Sequence, residues 1–125
     1  MSRILIVDDS RTSRKILRSI LENAGHDIVG EAMDGQDGVN KFKDLRPDIV
    51  TLDITMPVMD GLGALKLIKE MDAEAKIIMV TAAGQQNKMI DAIKLGAAEF
   101  VTKPFEPDEI TKMVVSLQKV KTYIY

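Results

Sequence analysis

Cysteine is absent from this sequence, and so is tryptophan. Without cysteine there can be no disulfide, no thiol nucleophile and no thiolate metal site, a composition that suits a reducing compartment. His26 is the single histidine. Neither charge sign dominates: 17 Lys and Arg against 19 Asp and Glu leave a net charge of −2. A bulk field that would gather nucleic acid or an anionic membrane is therefore missing. No apolar run approaches the roughly 20 residues of a membrane span. Met1-Ser2-Arg3 leads straight into a short apolar run, so no signal peptide is expected and the cytoplasm is the default location. No P-loop pattern occurs either. Gly61-Leu62-Gly63 lacks the third glycine and the preceding strand of a dinucleotide loop, and reads as a helix start.

What remains is an ordinary globular composition, 46% hydrophobic and 29% charged over 125 residues. That is enough chain for one core and too little for two domains, so residues 1–125 are expected to form one domain without an output domain. Short apolar runs recur along it. Arg3 to Val7 is continuous enough for a strand buried on both faces and stops on Asp8-Asp9. Ile28 to Ala32 is a second run. Asp48 to Leu52 stops on Asp53, Lys76 to Val80 on Thr81, and Glu99 to Thr102 on Lys103-Pro104.

Helical patterns fill the gaps. Ser10 is a candidate cap for a helix with Ile16, Leu17, Ile20, Leu21 and Ala24 inward, stopped by Gly25. Asp34-Gly35 opens a second, with Val39, Phe42 and Leu45, which must end before Pro47. Asp60 caps a third carrying Leu62, Leu65 and Ile68. A fourth follows Ala82-Ala83-Gly84 with Met89, Ile90 and Ile93 and stops at Gly96. Pro107 fits the first position of a fifth, where Asp108 and Glu109 suit the positive end and Lys119 and Lys121 the negative one. Thr122 to Tyr125 should fray. Five strands alternating with five helices predict an α/β fold: a (βα)5, doubly wound, five-stranded parallel sheet covered on both faces, flavodoxin-like in class.

In such a sheet ligands bind beyond the carboxyl ends of the strands. Asp8, Asp9, Asp53, Thr81 and Lys103 all occupy that edge. Three carboxylates without thiol or imidazole suit a hard cation, Mg²⁺ above all, which also relieves their mutual repulsion. Lys103 can balance remaining charge, and Thr81 offers a hydroxyl to the same anion. A carboxylate can act as nucleophile and become an aspartyl phosphate. Asp53 is the better acceptor: it stands singly on a central strand, whereas Asp8 and Asp9 are adjacent and suited to holding a metal.

Four motifs then carry a resemblance over the full length: Ile6-Val7-Asp8-Asp9-Ser10, Leu52 through Gly61 with Asp53, Met56, Pro57 and Asp60, Val80-Thr81-Ala82, and Phe100 through Phe105. The chain resembles the receiver domains of two-component response regulators, and within them the stand-alone chemotaxis members. The resemblance implies that Asp53 is the phosphoacceptor, fed by a histidine kinase of the chemotaxis type. It further implies that Asp8, Asp9, Asp53 and the backbone carbonyl of Thr55 bind Mg²⁺. Lys103 contacts the phosphoryl group and its bond to Pro104 is cis. Thr81 and Phe100 form a switch pair, read out on the fourth helix, fifth strand and fifth helix. The implied partner is the flagellar motor switch, with a dedicated phosphatase a further candidate; neither nucleic acid nor membrane is expected, and the chain is expected to be monomeric. Many chemotaxis members have Tyr where Phe100 stands, so a phenol contact is excluded here.

Other classes fit less well. A phosphohydrolase of the haloacid dehalogenase type wants a second Asp two residues after its nucleophile, and Thr55 stands there. So the protein is expected to catalyse only its own phosphorylation and slow dephosphorylation. A flavodoxin-like cofactor binder would meet an acid cluster that repels its phosphate. A single-domain receiver in a non-chemotaxis phosphorelay is the remaining alternative. His26 reads as a surface residue of a turn, Met56 and Met59 as loop packing.

Overall fold

Alternate residues of each strand enter two different cores. Ile4 and Ile6 pack on one face of the sheet and Leu5 and Val7 on the other. The computed structural model describes residues 1–118, apart from the side chain of Gln86. Lys119, Lys121 and the segment Thr122 to Tyr125, read above as helix end and frayed tail, lie outside the described residues.

The elements are β1 (Arg3–Val7), α1 (Arg11–Asn23), β2 (Asp27–Ala32), α2 (Gly35–Leu45), β3 (Ile49–Asp53), α3 (Gly61–Met71), β4 (Lys76–Thr81), α4 (Gln86–Lys94), β5 (Glu99–Thr102) and α5 (Pro107–Gln118). The five strands form one parallel sheet in the order β2-β1-β3-β4-β5. β3 is central and buried throughout. One core joins the sheet to α2, α3 and α4 through Val39, Phe42, Leu65, Ile68 and Ala92. The other joins it to α1 and α5 through Leu17, Leu21, Ile110 and Val114. The chain runs outward from β1 to β2, then returns past it to β3. That reversal makes a crevice at the carboxyl ends of β1 and β3.

Local chemistry agrees with the expected boundaries. Ser10 accepts from the Ser13 N–H at 3.2 Å, Asp34 from Asp37 at 2.8 Å and Asp60 from Gly63 at 2.9 Å. Each satisfies a donor that a helix start leaves open. Gly25 and Gly96, expected to stop α1 and α4, both lie at positive φ. β3 and β4 each run one residue further than the apolar pattern suggested, taking in Asp53 and Thr81.

Three expectations need correcting. Ile16 and Ala24 do not face the core: Ile16 is 47% exposed, and Ala24 is exposed at the cap just beyond α1. Ile90 and Ile93 are each 57% exposed, because α4 meets the core through Ala92 instead. His26 is buried rather than at the surface. The Asp27 N–H donates to the Ser2 carbonyl at 2.9 Å, starting β2 beside β1, and this draws His26 against Ser2. There its Nδ1 accepts the Ser2 N–H at 3.1 Å.

Candidate functional site

Four strands deliver the predicted residues to one edge. Asp8 follows β1, Asp53 is the last residue of β3, Thr81 the last of β4, and Lys103 follows β5. Asp8, Asp53 and Thr81 are buried, and Asp9 is exposed. One carboxylate oxygen from each of Asp8, Asp9 and Asp53 lies within 4.8 Å of the others. Asp8 Oδ1 accepts the Ser10 N–H at 2.8 Å, and its carbonyl accepts from Arg14 at 2.8 Å, so the start of α1 orients it. Lys103 Nζ stands 3.0 Å from Asp8 Oδ2 and 3.4 Å from Asp53 Oδ2. The Lys103–Pro104 peptide is cis.

Gly61 explains how the chain turns away from Asp53 so abruptly. A Cβ there would lie 2.1 Å from the Asp53 carbonyl oxygen. Its N–H donates to Ile54 O at 2.7 Å, and Ile54 N–H donates to Val80 O at 3.1 Å. The start of α3 is thereby packed onto the end of β3, which holds Asp53 in place.

The electrostatics are unusual for a carboxylate. Burial, with the nearby charge of Asp8, pushes the Asp53 pKa up to about 6, against the opposing pull of Lys103. Burial works against the Lys103 charge as well, yet its bond to Asp8 and the charges of Asp53 and Asp8 outweigh it and hold its pKa above the ordinary lysine value. Three acids with one ammonium leave an excess of negative charge in a partly buried place. An all-oxygen set of this kind fits a hard divalent cation.

Thr81 lies beside the acids, its hydroxyl 3.4 Å from that of Thr102. Phe100 is further down β5, paired with Met79, half-buried against the core under α2, α3 and α4. Thr55 is exposed, and its hydroxyl accepts from the Gln85 side-chain amide. Neither Thr102 nor Gln85 was foreseen. Thr102 could have been found from its place at the end of β5; the Gln85 contact joins loops 30 residues apart and leaves no local pattern.

Residues 4–115 match the response regulator receiver domain family. The chain belongs to that family. This receiver domain is 47% identical to the chemotaxis protein CheY of Thermotoga maritima over 117 residues, covering 94% of this chain and 98% of that one. It is 50% identical to CheY of Bacillus subtilis over 112 residues, covering 90% and 93%. Among solved structures, the receiver fold superposes on one chain of a CheX–CheY complex from Borrelia burgdorferi, with BeF3 and Mg²⁺, at a TM-score of 0.88 and 40% identity, covering 93% of this chain and 88% of that one. Among the described residues of the receiver domain, no helix is long and apolar enough to cross a membrane.

Proposed function

We propose that this receiver domain, residues 1–125, is a stand-alone chemotaxis response regulator that accepts a phosphoryl group on Asp53 and exchanges partners while it is held. The observation that carries this is the placement of a buried Asp53 among Asp8, Asp9 and Lys103 at the carboxyl edge of the sheet. Similarity to CheY proteins over nearly the whole chain supports the chemotaxis assignment.

An Asp53 oxygen forms the new O–P bond as the P–N bond of a kinase phosphohistidine breaks. Asp8, Asp9, Asp53 and the Thr55 carbonyl would hold Mg²⁺, which neutralises charge on the transferring group. The Lys103 ammonium, paired with both acids beforehand, turns to a phosphoryl oxygen. The Thr81 hydroxyl then donates to another, Phe100 swings inward, and the face made by α4, β5 and α5 changes. Ile90 and Ile93 of α4 and Val115 of α5 are exposed there. Turnover is slow, since Thr55 stands where a fast aspartyl-phosphate hydrolase has its second Asp and offers no carboxylate for proton transfer. The expected partners are a chemotaxis-type histidine kinase, the flagellar motor switch and a dedicated phosphatase. A CheX–CheY complex among the similar structures supports a second protein as a partner of this domain. A cytoplasmic monomer suits these roles.

The partner claim is tested by fluorescence anisotropy of a labelled motor-switch segment. Beryllofluoride with Mg²⁺ should tighten its binding by about tenfold. Equal binding with and without beryllofluoride removes the motor switch as the partner that reads phosphorylation.

A further inference from the structure

Gln85 stands at the cap position of α4, where Ser, Thr, Asp or Asn usually satisfies the open helix donors, yet its side chain makes no cap bond. Its amide is used elsewhere. Oε1 accepts the Ala82 N–H at 2.8 Å, and Nε2 donates to the Thr55 hydroxyl. Thr55 lies two residues past Asp53, and Ala82 directly follows Thr81. β3 and β4 are neighbours with Asp53 opposite Val80, so one amide ties together the two loops that leave the acceptor and the hydroxyl.

We propose that Gln85 is a positioning residue: a latch that holds the β3–α3 and β4–α4 loops in the arrangement where Lys103 pairs with Asp8 and Asp53 and the Thr81 hydroxyl lies against Thr102, and that must open when Thr81 moves. The proposal rests on the assignment of Asp53 and Thr81 given above. Ala82 is bonded to Thr81, so drawing Thr81 toward a phosphoryl group carries the Ala82 N–H with it. Gln85 Oε1 either lets go of the Ala82 N–H or follows it and gives up the contact of Nε2 with Thr55, and in either case the bridge between the two loops is broken. Gly84, at φ +91° and with nothing within 4 Å of a Cβ built on it, supplies a pivot between Ala82 and Gln85. α4 starts at the next residue, so release of Gln85 frees the first turn of the helix that exposes Ile90 and Ile93. A bond present in one arrangement and absent in the other shifts the equilibrium between them.

The test is a titration of beryllofluoride in Mg²⁺, followed by ¹⁹F NMR, on wild type, Gln85→Ala, Thr55→Val and the double variant. Each single variant should bind the mimic about threefold to tenfold more tightly than wild type, the worth of one net hydrogen bond. The double variant should gain no more than either single one, because both remove the same contact. In wild type alone, the Gln85 side-chain NH₂ resonances should move toward solvent-exposed values on loading. Equal affinity of wild type and Gln85→Ala, additive gains in the double variant, or unmoved Gln85 resonances in loaded wild type would each overturn the latch while leaving the acceptor assignment standing. Failure of wild type to bind the mimic at all would remove the acceptor assignment and the latch together.

Discussion

The ammonium of Lys103 lies 3.0 Å from Asp8 and 3.4 Å from Asp53, a single cation shared between two buried carboxylates. The closer contact is to Asp8 and not to the residue proposed as acceptor. Lys103 therefore acts first as countercharge for the acid pair, and it has to give up part of that role when a metal or a phosphoryl group arrives.

Lys103→Ala leaves both acids buried without their cation, which should lower the stability of the metal-free protein by about 3 kcal/mol. Mg²⁺ should restore more of the melting temperature in this variant than it adds to wild type, since the metal replaces the missing charge. Thermal melts of both proteins with and without Mg²⁺ check this. A larger Mg²⁺ shift in wild type would mean that Lys103 does not compete with the cation.

Val58 sits at φ 68° and is 83% exposed. A β-branched residue is strained in that left-handed region and gains no burial in return. Val58→Asn should stabilise the domain by about 1 kcal/mol, as Asn tolerates the same backbone. Urea denaturation measures the difference, and an unchanged or lower midpoint would show that the loop relaxes around Val58.

His26 has its pKa lowered, first by burial and then by the charge of the chain's N-terminus. Protonating it costs more in the fold than in the unfolded chain. Its contribution to stability is therefore full above the ordinary histidine value of about 6.5 and is lost as pH falls below it. With one histidine in the chain, the imidazole NMR signal is assigned without a variant. Its midpoint should fall below about 6.5, and a higher midpoint contradicts the burial against Ser2.

The parts of this fold that local chemistry dictates could be read from the sequence. Ser10, Asp34 and Asp60 each cap a helix where a short acceptor precedes apolar periodicity. Asp8, Asp53, Thr81 and Lys103 each end an apolar run, and a parallel sheet brings such ends together. Contacts that only the assembled chain creates were not legible. His26 looks like a turn residue until β2 starts beside Ser2. The isoleucines of α4 match a buried helical face as well as they match an exposed one, and only Ala92 decides which side meets the sheet. Gln85 reaches Thr55 across two loops that the sequence separates.

The central claim is that Asp53, held among Asp8, Asp9 and Lys103, is the phosphoacceptor. Incubation with Mg²⁺ and acetyl phosphate, followed by intact-mass spectrometry, tests it on wild type and Asp53→Asn side by side. The account predicts one labile phosphoryl group on wild type, none on Asp53→Asn, and loss of labelling when Mg²⁺ is chelated beforehand. Equal labelling of Asp53→Asn and wild type would contradict it.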